Sequence, residues 1–169
     1  IYLKVYEPFD LKDTQVLIHR YKVDTRRDDA WLYLGFQRRV RRLATGQTTD
    51  SFLGTDIMIE DFEGYNNRVS DYDWKYIDTT NVLLPFHRHN SLRLTEDHKE
   101  ADGYQYVEYG GQGDCFADTT WELRKVYRVA ASPKDKNHPL SKRIMNMDAQ
   151  TFTLPQSALY DRKGDFWKT

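Results

Sequence analysis

At 169 residues the chain is long enough for one domain with a sizeable core, and 25 lysines and arginines against 26 aspartates and glutamates leave a formal charge of -1. That balance gives a polyanionic partner no whole-chain support, and aromatic residues at 14% are too many for a disordered chain and suit pleated, half-buried strands. No apolar run approaches the ~20 residues of a membrane-crossing helix, and Cys115 as the single cysteine excludes an internal disulfide or a multi-cysteine zinc site.

In chain order, "IYLKVY" at 1–6 alternates in period two and reads as a short strand ending before Pro8. A second strand follows over 14–24, then a polar turn at 25–29. Trp31 to Leu34 and Arg38 to Leu43 form the arms of a hairpin around Gly35, Phe36 and Gln37. Its second arm places Arg38 and Arg42 beside Val40 on one face and Arg39 and Arg41 with Leu43 on the other. A nucleic-acid surface would gather charge on one face and interleave aromatics, so no nucleic-acid partner is expected.

Around Ile57, Met58, Ile59 and Phe62 the chain changes character, with Thr55 or Asp56 able to cap and Gly64 able to terminate; a short helix is expected. Its acids Asp56, Glu60 and Asp61 read as capping groups and as partners for the basic hairpin. "SDYDWKYID" then alternates as a strand with Tyr72, Trp74 and Tyr76 on one face.

The polar stretch 87–103 predicts little beyond a strand piece and one helical turn. Strand character returns at 104–109, a glycine-rich loop follows, and 121–131 reads as a long strand with Trp121, Leu123, Tyr127 and Val129 on one face. The remainder folds as hairpins. Nine to eleven short strands with one or two short helices predict a mainly β (α+β) protein, a strongly curved antiparallel sheet or incomplete barrel.

The chemistry-bearing motifs are sparse. His87 and His89 can share a strand face but lack a third zinc ligand at recognisable spacing, so no metal is expected. His19, His98 and His138 read as solvated or packing residues. "GGQGD" lacks the lysine and Ser/Thr of a phosphate loop, and Cys115 lacks an evident base. No cofactor and no catalytic residue are expected; a lipid hydrolase or isomerase using Cys115 or His87 and His89 is the weaker enzymatic alternative.

The stretches "DDAWLYL", "RRVRRL", "SFLGTDIMIEDFEGY", "DYDWKYI", "WELRKVYRV" and "HPLSKRIMNMDAQTFTLPQSALYDRKGDFWKT" together resemble the DUF1329 family, which is related to outer-membrane lipoprotein-sorting proteins of the LolA/LolB-like superfamily. Where that family usually has proline in the turn after "WLY", this chain has Gly35. The resemblance implies one LolA/LolB-like half-barrel domain over 1–169. The start at Ile1 without a leader reads as the C-terminal part or trimmed core of a longer secreted precursor.

It further implies a non-enzymatic periplasmic carrier of a lipid or acylated protein, associated with the outer membrane, peripheral to the bilayer and working with an RND-type exporter. A scaffold docking on such an exporter without a cavity ligand is the alternative. On this reading Tyr72, Trp74, Tyr76, Trp31 and Tyr33 line a cavity and Ile57, Met58, Ile59 and Phe62 form its lid, with methionine adapting to variable chains. Arg38, Arg39, Arg41 and Arg42 are then headgroup or partner contacts.

Overall fold

The computed structural model describes residues 1–7, 9–43, 48–52, 54–86, 107, 109–114 and 116–169. Two compact units divide the chain: Ile1–Asp73 with Pro133–Pro139, and Trp74–Ser132 with Leu140–Thr169. The strand pieces expected within 87–106, together with His87, His89, His98 and Cys115, lie outside the described residues.

The first unit is built on a four-stranded antiparallel sheet of β1 (Tyr2–Lys4), β2 (Gln15–His19), β3 (Asp29–Leu34) and β4 (Arg39–Leu43), in that order. Val16 lies opposite Leu32, and Leu17 opposite Trp31. Tyr33 lies opposite Val40, and Leu32 opposite Arg41. Because strand side chains alternate, this register sends Val16, Ile18 and Leu32 to one face and Leu17, Trp31 and Tyr33 to the other. Val16 and Ile18 are buried, so the first face is the inner one.

The β3–β4 hairpin closes through a 3-10 turn at Gly35–Gln37, and Arg38 takes a left-handed backbone with φ 50°. Gly35 is required by close approach: a Cβ there would stand 2.7 Å from the Lys12 carbonyl oxygen.

The helix expected around 57–62 is instead a 3-10 turn, Ile59–Gly64, broken where Phe62 becomes extended and Glu63 turns left-handed at φ 56°. A segment this short recovers too few intrahelical bonds to offset helix nucleation. Its backbone is satisfied in other ways: the Met58 N–H donates to Asp61 Oδ2 at 3.0 Å, and the Glu60 N–H to the Thr48 carbonyl at 3.1 Å. The capping role read for Asp61 is therefore present without the helix.

The second unit carries β5 (Tyr72–Leu84), whose first two residues belong to the first unit, then β6 (Tyr109–Gly110), β7 (Phe116–Ala117), β8 (Glu122–Pro133), β9 (Leu140–Asp148), β10 (Gln156–Asp161) and β11 (Phe166–Lys168). Five of them form an antiparallel sheet in the order β11-β10-β9-β8-β5, and β6 pairs with β7. Neither larger sheet closes on itself into a barrel, and the fold is mainly β, with only 3-10 turns as helical elements among the described residues.

Leu84, Val126, Ala131, Met145 and Leu159 are buried here; fully burying a side chain of Leu or Met size is worth about 1.5–3 kcal/mol. On β8 the apolar face read from the sequence is partly the outer one, with Leu123 68% exposed and Val126 buried. Arg124 lies on the Val126 side because Asp148, itself buried, accepts from it twice, at 2.9 and 3.0 Å.

Candidate functional site

In the first unit the inner sheet face meets the segment that follows β4. That segment is a compact turn. Ser51 bridges to Met58, the Phe52 N–H donates to the Ile57 carbonyl at 2.7 Å, and the Phe52 and Phe62 rings meet edge to face at 5.2 Å. Met58 is buried, Ile59 and Phe62 are half-buried and Ile57 is exposed. Between sheet and segment lies an apolar pocket of about 150 Å³, lined by Val16, Leu32, Leu43, Phe52 and Ile59 with Asp50 and Ser51. Of the four residues read as a lid, Ile59 is the one that lines this pocket.

Beside it lies a polar cleft of about 310 Å³ that shares Leu43 and Ile59 with the apolar pocket. Arg27, Arg68 and Lys134 bring positive charge to its lining, and Asp28, Asp71 and Asp135 bring negative charge. Asp28 is bound by Arg20 at 2.8 Å. The Lys134 ammonium donates to the Ser70 carbonyl at 2.8 Å.

Tyr72 and His138 also line this cleft, and both reach the carboxylate of Glu60, which is fully buried. The Tyr72 hydroxyl donates to Glu60 Oε2 at 2.8 Å, and Asn67 Nδ2 donates to the same oxygen at 2.8 Å. His138 Nε2 stands 3.1 Å from that oxygen and 3.0 Å from the Tyr72 hydroxyl. Three buried side chains, Glu60, Tyr72 and His138, thus satisfy one another with the help of half-buried Asn67, as buried polar groups must. The chain brings them together from four places: the 3-10 turn (Glu60), the stretch after it (Asn67), the start of β5 (Tyr72) and the β8–β9 connection (His138). Glu60 was expected to serve the basic hairpin or a cap; it serves this network instead. His138 fits its reading as a packing histidine.

The other face of the four-stranded sheet carries a shallow trough of about 340 Å³, lined by Tyr2, Leu17, Trp31, Tyr33 and Val40 with Gln15 and His19. The His19 and Trp31 rings meet edge to face at 5.3 Å. Trp31 and Tyr33 therefore share a site with each other and with Val40, on the face opposite the apolar pocket. At the end of this face Arg42 and the Tyr21 hydroxyl both donate to Asp29. The two donors hold the Asp29 carboxyl below its ordinary range, the tyrosine contributing most, while the same bond raises Tyr21.

The arginines of the hairpin are all exposed. Arg42 pairs with Asp29 and Arg41 donates to the Gln37 side chain at 2.9 Å, so the partners Asp56, Glu60 and Asp61 expected for them are not the ones found. Of the aromatic stripe, Tyr72 is buried in the cleft wall of the first unit, whereas Trp74 and Tyr76 belong to the second and are exposed. Sequence periodicity put all three on one strand face and had no means of seeing that the strand passes from one unit to the next. Among the described residues no group of three or more His, Cys, Asp or Glu is placed to hold a metal ion.

Comparison with known proteins gives a consistent result. The uncharacterized protein PA3922 of Pseudomonas aeruginosa is 31% identical over 147 residues, 82% of this chain and 30% of that protein. Two solved structures match at a TM-score of 0.60 and 20% identity: a domain described as an outer membrane lipoprotein-sorting protein, from Vibrio parahaemolyticus, and a DUF1329 family protein from Desulfovibrio piger. Each alignment covers 98% of this chain and 52% of the solved one, so the chain spans about half the length of those structures and under a third of PA3922. The family described as a protein of unknown function, DUF1329, matches residues 1–169 throughout, and the chain belongs to it.

Proposed function

We propose that the chain is a non-enzymatic binding module for a lipid or a lipoprotein acyl chain, working in the periplasm of a Gram-negative bacterium as part of a longer protein. The observation that carries this reading is the pair of adjoining cavities that share Leu43 and Ile59, one apolar and one polar. At about 150 Å³ the apolar pocket is smaller than the about 300–1,000 Å³ of a typical small-molecule site. It therefore takes one end of a ligand, with the polar end in the cleft among Arg27, Arg68 and Lys134. An acylated molecule has that division of character. The fold shared with a lipoprotein-sorting domain supports the same reading.

The test is native mass spectrometry of the protein made in a Gram-negative periplasm, followed by titration with a fluorescent fatty acid. Bound, exchangeable lipid is expected, and Leu32→Trp, which fills the apolar pocket, is expected to weaken the fatty acid about tenfold, the equivalent of about 1.4 kcal/mol. Repeated spectra with no bound or exchangeable lipid would overturn the reading.

A further inference from the structure

The charges that line the polar cleft of the first unit are only partly neutralised within the fold. Asp28 is held by Arg20 through two bonds, at 3.1 and 2.8 Å. Lys134 is held between the Ser70 carbonyl at 2.8 Å and the Asp73 carboxylate at 3.9 Å. The lining then still offers Arg27 and Arg68 on the positive side and Asp71 and Asp135 on the negative. Arg68 is anchored through Nη1 to the Asp24 carbonyl, while its Nη2 meets no acceptor among the described residues. The Asp71 side chain is exposed and has no partner among the described residues, and Asp135 receives the Asn137 N–H of its own turn at 2.8 Å.

The two signs are held by different segments. Arg68 reaches back to the segment before β3, which also carries Arg27. Asp71 is joined to the β8–β9 connection, which carries Asp135, because the Lys134 N–H donates to the Asp71 carbonyl at 3.0 Å. A purely anionic headgroup in this cleft meets the two acids, and a purely cationic one meets the two arginines; a headgroup with both charges a few atoms apart finds a partner for each. We propose that the polar end of the ligand is such a zwitterion, of the phosphoethanolamine class, with its phosphate at Arg27 and Arg68 and its ammonium at Asp71 and Asp135. This rests on the cavity reading above and narrows it from an acylated molecule to an ethanolamine phospholipid. A guanidinium donates to phosphate at two points, and a primary ammonium has three N–H donors for carboxylates, which a quaternary choline lacks. The apolar pocket, joined to the cleft through Leu43 and Ile59, takes the chain end.

The test is displacement of the fluorescent fatty acid from the whole chain by soluble dihexanoyl phospholipids. The ethanolamine lipid is expected to compete about fivefold better than the anionic glycerol lipid, the ratio that one exposed ion pair supplies, and better than the choline lipid. Asp71→Asn is expected to erase the preference for ethanolamine over glycerol, with the melting temperature unchanged because that carboxylate has no partner in the fold. Free phosphoethanolamine, which has no chain for the apolar pocket, is expected to compete only at about a hundredfold higher concentration. Competition by it as strong as the lipid's would assign the cleft to the free headgroup and overturn the lipid assignment. Fatty acid bound with no preference for the ethanolamine lipid, or a preference that survives Asp71→Asn, would refute the zwitterion and leave the cavity reading standing. Absence of fatty-acid binding and of every phospholipid would remove both, so the two failures are separate results.

Discussion

Glu60 is the residue whose loss is expected to cost the first unit most. Its carboxylate receives Asn67 and Tyr72 and faces His138, and it is fully buried. Removing it by Glu60→Ala leaves those partners desolvated and mutually under-satisfied, at a cost of about 3 kcal/mol or more in chemical denaturation. Little in the sequence marks it: one glutamate among several acids, whose partners lie 7, 12 and 78 positions away. Asp148 acts in the second unit. Bidentate Arg124, followed by the Thr151 backbone and hydroxyl and the Gln150 backbone, holds its carboxyl well below the usual carboxylate range. A carboxylate depressed in the folded state contributes stability above its unfolded pKa of about 4 and loses it as pH falls toward the folded value. The melting temperature is therefore expected to fall below about pH 4, and Asp148→Asn is expected to lower it at neutral pH and flatten that acid limb. Equal slopes in the two proteins would contradict this.

Hairpins were the most legible elements. Trp31 to Leu34 and Arg38 to Leu43 show period-two alternation around a glycine, and β3 and β4 form there with Arg38 displaced into the turn. The reason for that glycine was not legible, because it is contact with Lys12 and Asp13, more than twenty positions earlier. Gly35→Ala forces a Cβ against a backbone oxygen and is expected to cost about 1–3 kcal/mol, read as a lower denaturation midpoint. β5 runs through Leu84, beyond the aromatic stripe, because Thr79, Thr80 and Val82 continue its strand-forming character. Around 57–62 apolar content and a cap imitated a helix, and the distinction rested on how the backbone bonds are satisfied, which composition does not show. On β8 the Arg124–Asp148 pair and Val126 take the inner side at one end, where Leu123 was expected, while Ala131 of the expected face is buried at the other, and an ion pair between distant positions leaves no periodic trace.

For the whole molecule, the mainly β class and the family were both readable, since alternation and turn residues recur along the entire chain and the family match spans 1–169. The candidate site was readable only in part. Ile59 belongs to the pocket, while Trp31 and Tyr33 line the opposite face, because strand parity alone does not say which side of a sheet becomes the inside. The connection Pro133–Pro139 joins β8 to β9 in sequence yet belongs to the first unit, where it delivers His138 to Glu60. During synthesis the first unit's residues up to Asp73 leave the ribosome long before that connection does. Until it arrives, Glu60 and Tyr72 wait with an incomplete set of partners, so the segment made first is among the last to be finished.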